Sequence, residues 1–207
     1  MSHSNDPSLT CPVPSEPYDR ILLSHGSGGK QTLQLIEEVF SPAFGNNPSP
    51  SRHDGAVLEL PSSRIAFTTD SFVVTPLFFP GGDIGSLSVN GTVNDLAMCG
   101  AEPLFLSVGF ILEEGLPMEI LRRVVVSLRK AADDAGVRIV TGDTKVVERG
   151  RGHGIYLNTA GIGVLRGGHI GPEEIAPGDQ ILLSGDIGRH GIAVLGEREG
   201  LSFETPV

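Results

Sequence analysis

Four aspartates stand in short motifs whose other members are mostly glycine, hydroxyl or amide residues. They are Asp54 in DGA, Asp70 in TTDS, Asp95 in NDL and Asp143 in GDT. A magnesium ion bound to a nucleotide usually takes one or two carboxylates together with phosphate oxygens and waters. Taken singly, each aspartate suits a turn or a helix cap as well as a metal site. Because all four are expected at the ends of structural elements, we interpret them together as ligands that converge on one divalent cation.

A lysine completes the last of these motifs. Lys145 follows Asp143 with Thr144 between them. An ammonium group at this place can meet a phosphate or a leaving group, because it carries a compact positive charge. A solvated lysine at a strand edge is the alternative, and the residues alone leave both interpretations open.

The glycine-rich loop HGSGGK, residues 25–30, is a second candidate for phosphate contact. It is not a Walker A loop, which would need glycine at Ser24 and a hydroxyl residue at Gln31. A dinucleotide-binding GxGxxG pattern also fails, because it too needs glycine at position 31. Gly26, Gly28 and Gly29 nevertheless free the backbone, and Lys30 adds a positive charge where a helix is predicted to begin. This combination suits a flap over phosphates, and an ordinary flexible lead-in to a helix is the alternative.

The elements that must position these residues are organised around residues 81–100. This stretch predicts a helix whose polar stripe holds Asp83, Ser86, Asn90 and Asn94, with small residues that permit close approach of a backbone or a ligand. The Asn94 amide is adjacent to Asp95.

Other patterns along the chain predict a mixed sheet. Helices are expected at 31–40, from Pro117 to Gly136 and from His190, and strands at 56–60, 64–69, 103–112, 137–141, 155–164 and 179–184. The strands at 56–60 and 64–69 form a predicted hairpin. Asp54 and Asp70 then lie at strand ends, and Asp143 follows one. This order predicts an α+β fold, a two-layer sandwich with a mixed β-sheet and helices on one face.

Composition and charge indicate which kinds of molecule the chain is not expected to bind and where it is expected to be located. The formal net charge is −10, with 15 basic against 25 acidic residues, which argues against nucleic acid and anionic membranes as partners. No apolar run approaches the length of about 18 residues that a membrane span needs, and no signal-peptide pattern opens the chain. Cys11 and Cys99 form neither a disulfide framework nor a zinc site. We therefore expect a cytoplasmic protein.

Six motifs, taken together and in order, resemble one family. They are HGSGGK at 25–30, TTDS at 68–71, PLFFPGGDIG at 76–85, NGTVNDLAMCGAEP at 90–103, GFILEEGLP at 109–117 and IVTGDTKVV at 139–147. This set resembles the HypE family of hydrogenase-maturation proteins, in the superfamily of aminoimidazole ribonucleotide synthetase and selenophosphate synthetase. The resemblance runs from about residue 21 to 164. It implies an ATP-binding N-terminal domain (PurM-like) at 19–165 and an incomplete start of the C-terminal domain at 166–207, and the polar, proline-rich composition of residues 1–18 predicts a disordered tail.

The resemblance also implies an activity and partners. HypE proteins use ATP and Mg²⁺ to dehydrate a thiocarboxamide on a C-terminal cysteine to a thiocyanate, as homodimers that pair through their sheets. A HypF-type carbamoyltransferase supplies the carbamoyl group, and the HypC–HypD complex receives the cyanide. By motif, the implied metal ligands are Asp54, Asp70, Asp95 and Asp143. The implied ATP contacts are Gly28, Gly29, Lys30, Asn94, Thr144 and Lys145, with Lys145 and Asp143 as catalytic residues.

Two other interpretations remain. The family's C-terminal Pro-Arg-Ile-Cys tail does not match the last residues here, Glu204 to Val207, so the sequence is expected to be a C-terminally truncated member. A non-catalytic module for dimerisation and docking is therefore one alternative. Another ATP-using member of the superfamily, such as a kinase of the thiamine-phosphate type, is the other.

Overall fold

A four-stranded mixed sheet with two helices on one face forms the centre of the molecule. In the computed structural model, the described residues are 18–44, 58–61, 64–167, 170–183, 185 and 187–201. The strands of the sheet are β1 (Ile65–Phe72), β4 (Ala101–Glu113), β5 (Arg138–Val147) and β6 (Ile155–Leu165), and a small hairpin consists of β2 (Phe78–Phe79) and β3 (Gly82–Asp83). The helices are α1 (Lys30–Leu35), α2 (Ser41–Phe44), α3 (Ile84–Met98), α4 (Met118–Asp134) and α5 (Arg189–Glu199), with a π-helical segment, Ile36–Phe40, joining α1 to α2.

The strand order is β1-β6-β4-β5. Strand β6 pairs antiparallel with both β1 and β4, whereas β4 and β5 run parallel. Parallel neighbours need a crossover connection, and α4 supplies it between β4 and β5. The predicted α+β sandwich with a mixed sheet and helices on one face is confirmed.

Helix α4 follows its sequence pattern closely. Leu121, Val124, Val125 and Leu128 are buried at 0 to 2% exposure, as their 3.6-residue period predicts. Pro117 is the N-cap and Gly136 follows the C-cap with a φ of +68°. Such local signals mark the ends of a helix without help from the rest of the chain.

Helix α3 uses its small residues for packing. A Cβ on Gly85 would lie 2.6 Å from the carbonyl oxygen of Val124, so this glycine lets α3 and α4 approach closely. Asp83 lies outside the helix as its N-cap and accepts hydrogen bonds from the amides of Gly85 and Ser86. The predicted polar stripe is therefore one residue shorter.

Several predicted boundaries are wrong. Asp70 lies within β1 and Asp143 lies within β5, so neither stands at a strand end. Residues 58–60 are not in a strand, and 56–57 lie outside the described residues. Instead of a local hairpin, β1 pairs with β6, about 90 residues away. A sheet can offer a distant edge that the sequence pattern does not reveal.

The region after β6 is exposed. The predicted strand at 179–184 is not formed in the residues described there, and Ile181, Leu182 and Leu183 are 97, 91 and 75% exposed. An extended segment needs a pairing partner to become a strand. Helix α5 begins at Arg189, as predicted to within one residue, and contacts the β2–β3 hairpin through His190 and Phe79, whose ring centroids are 5.2 Å apart. None of the helices in the described part combines the length and apolar character that crossing a bilayer requires.

Candidate functional site

Asp70 and Asp95 share a groove between β1 and α3. Thr68 and Asp70 alternate with the outward residues of β1 and so face α3. The hydroxyl of Thr68 donates a 3.0 Å hydrogen bond to Oδ2 of Asp95. Oδ2 of Asp70 lies 3.7 Å from where a Cβ on Gly91 would be, one helical turn before Asp95. Two carboxylates with partly exposed oxygens are thus available at one place, which suits a hard divalent cation.

The backbone around Asp70 is held by a residue that the sequence reasoning missed. The side-chain amide of Asn158 donates to the backbone oxygen of Asp70 and to Oγ of Ser71, each at 3.0 Å. Asn158 lies on β6, opposite Ser71 in the register. An asparagine inside a mostly apolar strand was the available signal. The Asn94 side chain is exposed next to Asp95.

Asp143 does not join this pair within one chain. The register places Asp143 beside Gly109, Gly109 beside Asn158 and Asn158 beside Ser71, so one row crosses the sheet from β5 to β1. That row spans three strand spacings, roughly 14 Å, and Asp143 points to the face opposite Asp70. Within the described ranges, no group of three or more His, Cys, Asp or Glu side chains is placed to hold a metal. Asp54 lies outside those ranges.

The glycine-rich loop lies against the edge of β5. It contains a 3₁₀ turn, Leu23–Gly26. A Cβ on Gly26 would lie 2.4 Å from the backbone nitrogen of Val146, so only glycine permits this approach. Nζ of Lys145 is 3.5 Å from the carbonyl oxygen of Gly26. The fold therefore brings together the two positively charged candidate motifs, although more than a hundred residues separate them.

Thr32 closes the tip of the loop. Its Oγ1 accepts a 2.9 Å hydrogen bond from the Gly28 amide and donates to the Ser24 carbonyl oxygen at 3.2 Å. Gly28 has a φ of +81° with open space on its Cβ side, and Gly29 is the N-cap of α1 without a side-chain cap. The Lys30 side chain is exposed. Gly28, Gly29 and Lys30 are thus exposed to solvent at the tip of the loop. The Gly28 amide is hydrogen-bonded to Thr32.

Strand β5 divides its candidate residues between two faces. Asp143 and Lys145 share the face that carries no helix, whereas Thr144 is in register with Phe110 of the core. Alternation along a strand makes this division unavoidable. Thr144 is thus not positioned with Lys145 on that open face.

One imidazole and one carboxyl group near these elements have shifted pKa values. Burial lowers the pKa of His25, and the charge of Glu38 opposes that shift only partly. Glu113 accepts hydrogen bonds from the amides of Gly150 and Gly154, which lower its pKa. Glu113 thereby ties the loop between β5 and β6 to the end of β4.

The open face of the sheet carries exposed apolar side chains, of which Ile111 is in register with Lys145 and Ile65 and Phe67 lie on β1 at the opposite edge. Ile65, Phe67 and Ile111 are 45, 66 and 42% exposed there. Phe67 pairs in register with Ile162 of β6. An apolar, helix-free sheet face of this kind is typical of an interaction surface.

Comparison with known proteins shows which proteins have sequences similar to this chain. The family described as AIR synthase related protein, N-terminal domain, matches residues 52–165. Carbamoyl dehydratase HypE of Azotobacter vinelandii is 55% identical over 184 residues, which cover 88% of this chain and 54% of the relative.

Solved structures agree with these sequence matches. The crystal structure of hydrogenase maturation protein HypE in complex with ATP aligns with a TM-score of 0.86 and 51% identity, over 90% of this chain and 56% of that chain. The crystal structure of a HypE–HypF complex aligns with a TM-score of 0.67 and 55% identity, over 84% of this chain and 56% of that chain. The 207 residues thus span about half the length of the curated relatives that they match.

Proposed function

The chain belongs to the AIR synthase related family, and from this membership and its similarity to HypE we propose that it is the ATP-binding part of a HypE-type carbamoyl dehydratase. In this proposal it binds ATP with Mg²⁺ and serves the maturation of nickel–iron hydrogenase. One relative of known structure is described as a complex with ATP, which supports the choice of nucleotide.

One observation carries the proposal most directly. The glycine loop and Lys145 meet at the edge of β5, where Nζ of Lys145 approaches the carbonyl oxygen of Gly26. Phosphate groups are bound by backbone amides and lysine charges gathered at one place. The open space over Gly28, where an added Cβ would meet no atom within 4 Å, supports this choice.

The carboxylates of the β1–α3 groove fit the magnesium ion. Asp70 and Asp95 offer oxygen ligands of the kind that Mg²⁺ prefers, and we propose Asp54 and Asp143 as further ligands. The proposed ATP contacts are Gly28, Gly29, Lys30, Asn94, Thr144 and Lys145. When bound, the ion would offset negative charge on the phosphates. Lys145 and Asp143 would then orient and stabilise the reacting phosphate, which makes them the proposed catalytic residues.

A second copy of the chain would cover the open face of the sheet. Asp143 and Lys145 lie on the open sheet face, whereas Asp70 and Asp95 lie on the helix side of the opposite edge. Pairing of two open faces would bury Phe67 and Ile65 and place β5 of one protomer near the partner's sheet. We therefore propose a homodimer that pairs through this sheet.

The whole reaction is proposed at the level of the HypE family. ATP would drive dehydration of a cysteine-bound thiocarboxamide to a thiocyanate, with release of ADP and phosphate. A HypF-type protein is the proposed carbamoyl donor, since a HypE–HypF complex is among the similar structures, and a HypC–HypD complex is the proposed acceptor. The 207-residue chain would contribute the nucleotide-binding part. A cytoplasmic location accords with this role.

Calorimetric titration of the full 207-residue chain with ATP tests the proposal. We expect binding that requires Mg²⁺ and is lost in Asp70→Asn. Asp134→Asn is the matched control, because Asp134 is an exposed aspartate on α4 whose ion pair is with Lys130. Absence of binding with Mg²⁺ present would refute the proposal. Binding with ADP release no greater than a protein-free blank would favour the docking-module alternative.

A further inference from the structure

His25 is a buried histidine at the base of the glycine loop. The residue is only 2% exposed, whereas the lysine and the glycines at positions 28 and 29 that follow it are exposed. A buried polar ring needs a hydrogen-bond partner. Nδ1 of His25 accepts a 2.9 Å hydrogen bond from the backbone amide of Leu22.

This hydrogen bond closes a small ring. The backbone amide of His25 donates to the Leu22 carbonyl oxygen at 3.0 Å, while the Leu22 amide donates to the His25 ring. Leu22 is the N-cap of the 3₁₀ turn Leu23–Gly26, where backbone amides otherwise lack a partner. The buried His25 side chain therefore stabilises the start of the loop, at Leu22.

The turn that His25 fixes determines where the loop lies on β5. The next residue, Gly26, contacts the Val146 backbone so closely that a Cβ would lie 2.4 Å from its nitrogen. The Gly26 carbonyl oxygen is also the partner of Nζ of Lys145. A change in the Leu22–Gly26 turn therefore moves the loop relative to Lys145.

We propose that His25 is a positioning residue for nucleotide binding, which holds the glycine loop in register with Lys145 through the hydrogen bond to Leu22. This inference rests on the proposed ATP-binding function. His25 does not contact the nucleotide in this arrangement; it acts through the backbone of residues 22–26.

The arrangement requires the neutral ring. Nδ1 accepts a hydrogen bond, so the neutral imidazole carries its proton on Nε2, and protonation would turn Nδ1 into a donor facing the Leu22 amide. The Tyr18 ring stands edge-on at 5.1 Å, and the Glu38 carboxylate acts on His25 from the helical segment. From β5, Lys145 approaches the carbonyl of the adjacent Gly26. Burial outweighs the effect of Glu38 and lowers the pKa of His25.

Two substitutions distinguish the effect of losing the hydrogen bond from the effect of losing side-chain volume. His25→Phe keeps an aromatic ring in the buried site but removes the acceptor, and His25→Asn provides an acceptor near the position of Nδ1 without a titrating group. We expect His25→Phe to weaken Mg²⁺-dependent ATP binding about tenfold at a pH of about 7.5, and His25→Asn to restore it to within about threefold of wild type.

A pH series supplies a readout that a purely structural role would not change. Wild-type affinity should fall as the pH drops through the lowered pKa of His25, which lies below the ordinary imidazole value, whereas the affinity of His25→Asn should fall less. His153→Asn is the control, because His153 is exposed in the loop between β5 and β6 and its loss should leave the wild-type profile unchanged. Hydrogen exchange of the Leu22 amide should be faster in His25→Phe than in wild type.

The outcomes distinguish the two proposals. If wild type binds ATP and His25→Phe binds equally well with an unchanged pH profile, the role of His25 is refuted and the ATP-binding function stands. If wild type does not bind ATP with Mg²⁺, both proposals fail. If His25→Phe unfolds by circular dichroism, the comparison of wild type with His25→Asn across the pH series decides, and identical profiles would refute the inference.

Discussion

The hydroxyl of Thr68 donates a hydrogen bond of 3.0 Å to the carboxylate of Asp95, linking strand β1 to helix α3 beside Asp70. This contact joins residues 27 positions apart and orients one carboxylate of the groove towards the other element. A carboxylate held by a hydrogen bond loses less rotamer freedom when it binds a ligand.

Thr68→Val should weaken Mg²⁺-dependent ATP binding modestly. Valine preserves the shape of threonine but removes the donor to Asp95, so we expect a loss of about threefold to tenfold, the range of one hydrogen bond. Titration with ATP at several Mg²⁺ concentrations would check whether the variant needs more Mg²⁺ than wild type to bind ATP. Thr75→Val is the control, because Thr75 is exposed after β1 and accepts hydrogen bonds from Arg198 through its backbone oxygen. Equal effects of both variants would contradict the role of Thr68.

Lys145→Gln should weaken binding of ATP far more than binding of AMP. The lysine charge at the loop is proposed to meet the terminal phosphates, and losing a charged hydrogen bond is expected to cost about tenfold or more in affinity. Competition titrations with both nucleotides measure this difference. Lys130→Gln, on the outer surface of α4, should bind both as wild type does; a Lys145 variant that also retains ATP would exclude this lysine from the site.

Gly26→Ala should displace the glycine loop while leaving the sheet and helices intact. The added methyl group would lie 2.4 Å from the Val146 backbone nitrogen, and backbone in a sheet cannot retreat as a flexible side chain can. We expect ATP affinity to fall about tenfold, equivalent to about 1.4 kcal/mol of binding free energy. Gly167→Ala, which meets no atom within 4 Å, controls for glycine replacement. Unchanged affinity in Gly26→Ala would show that the loop position is unimportant for binding.

Phe67→Glu should produce a monomer. Burying a carboxylate in an apolar interface is strongly unfavourable, so dimer dissociation should increase by about a hundredfold or more. Val126→Glu is a matched control, because Val126 is also 66% exposed but lies on α4, away from the sheet face. Sedimentation measurements of wild type and both variants decide the matter. A dimer that survives Phe67→Glu but not Val126→Glu would place the interface on the helices.

Glu113→Gln should lower the melting temperature at neutral pH, and the difference from wild type should shrink in acid. Hydrogen bonds from the Gly150 and Gly154 amides lower the pKa of Glu113 in the folded chain. The unfolded chain therefore binds more protons, so the stabilisation is present above a pH of about 4.5 and is lost as the pH falls through the lowered value. Thermal melts from neutral pH to a pH of about 3 measure this. Glu148→Gln, on an exposed side chain of the same loop, should change the melts much less, and a constant Glu113 effect across this range would contradict the explanation.

The sequence by itself determined the elements whose signals are local. Helix α4 has a clear 3.6-residue period between Pro117 and Gly136, so its limits and its buried face follow from neighbouring residues. The mixed sheet with helices on one face and the candidate motifs could also be predicted from the sequence, because periodicity and the spacing of glycine or aspartate are properties of short segments.

Only the tertiary structure decided which motifs meet. Strand β1 pairs with β6 across a long stretch of chain, and this places Asp143 on the opposite face and edge of the sheet from Asp70, a separation that no spacing in the sequence expresses. The same holds for Asn158, whose side-chain amide donates to the backbone oxygen of Asp70 on the neighbouring strand, 88 positions away in the sequence. Sequence patterns record the preferences of short segments, whereas a binding site depends on long-range strand pairing and packing, which those preferences do not specify.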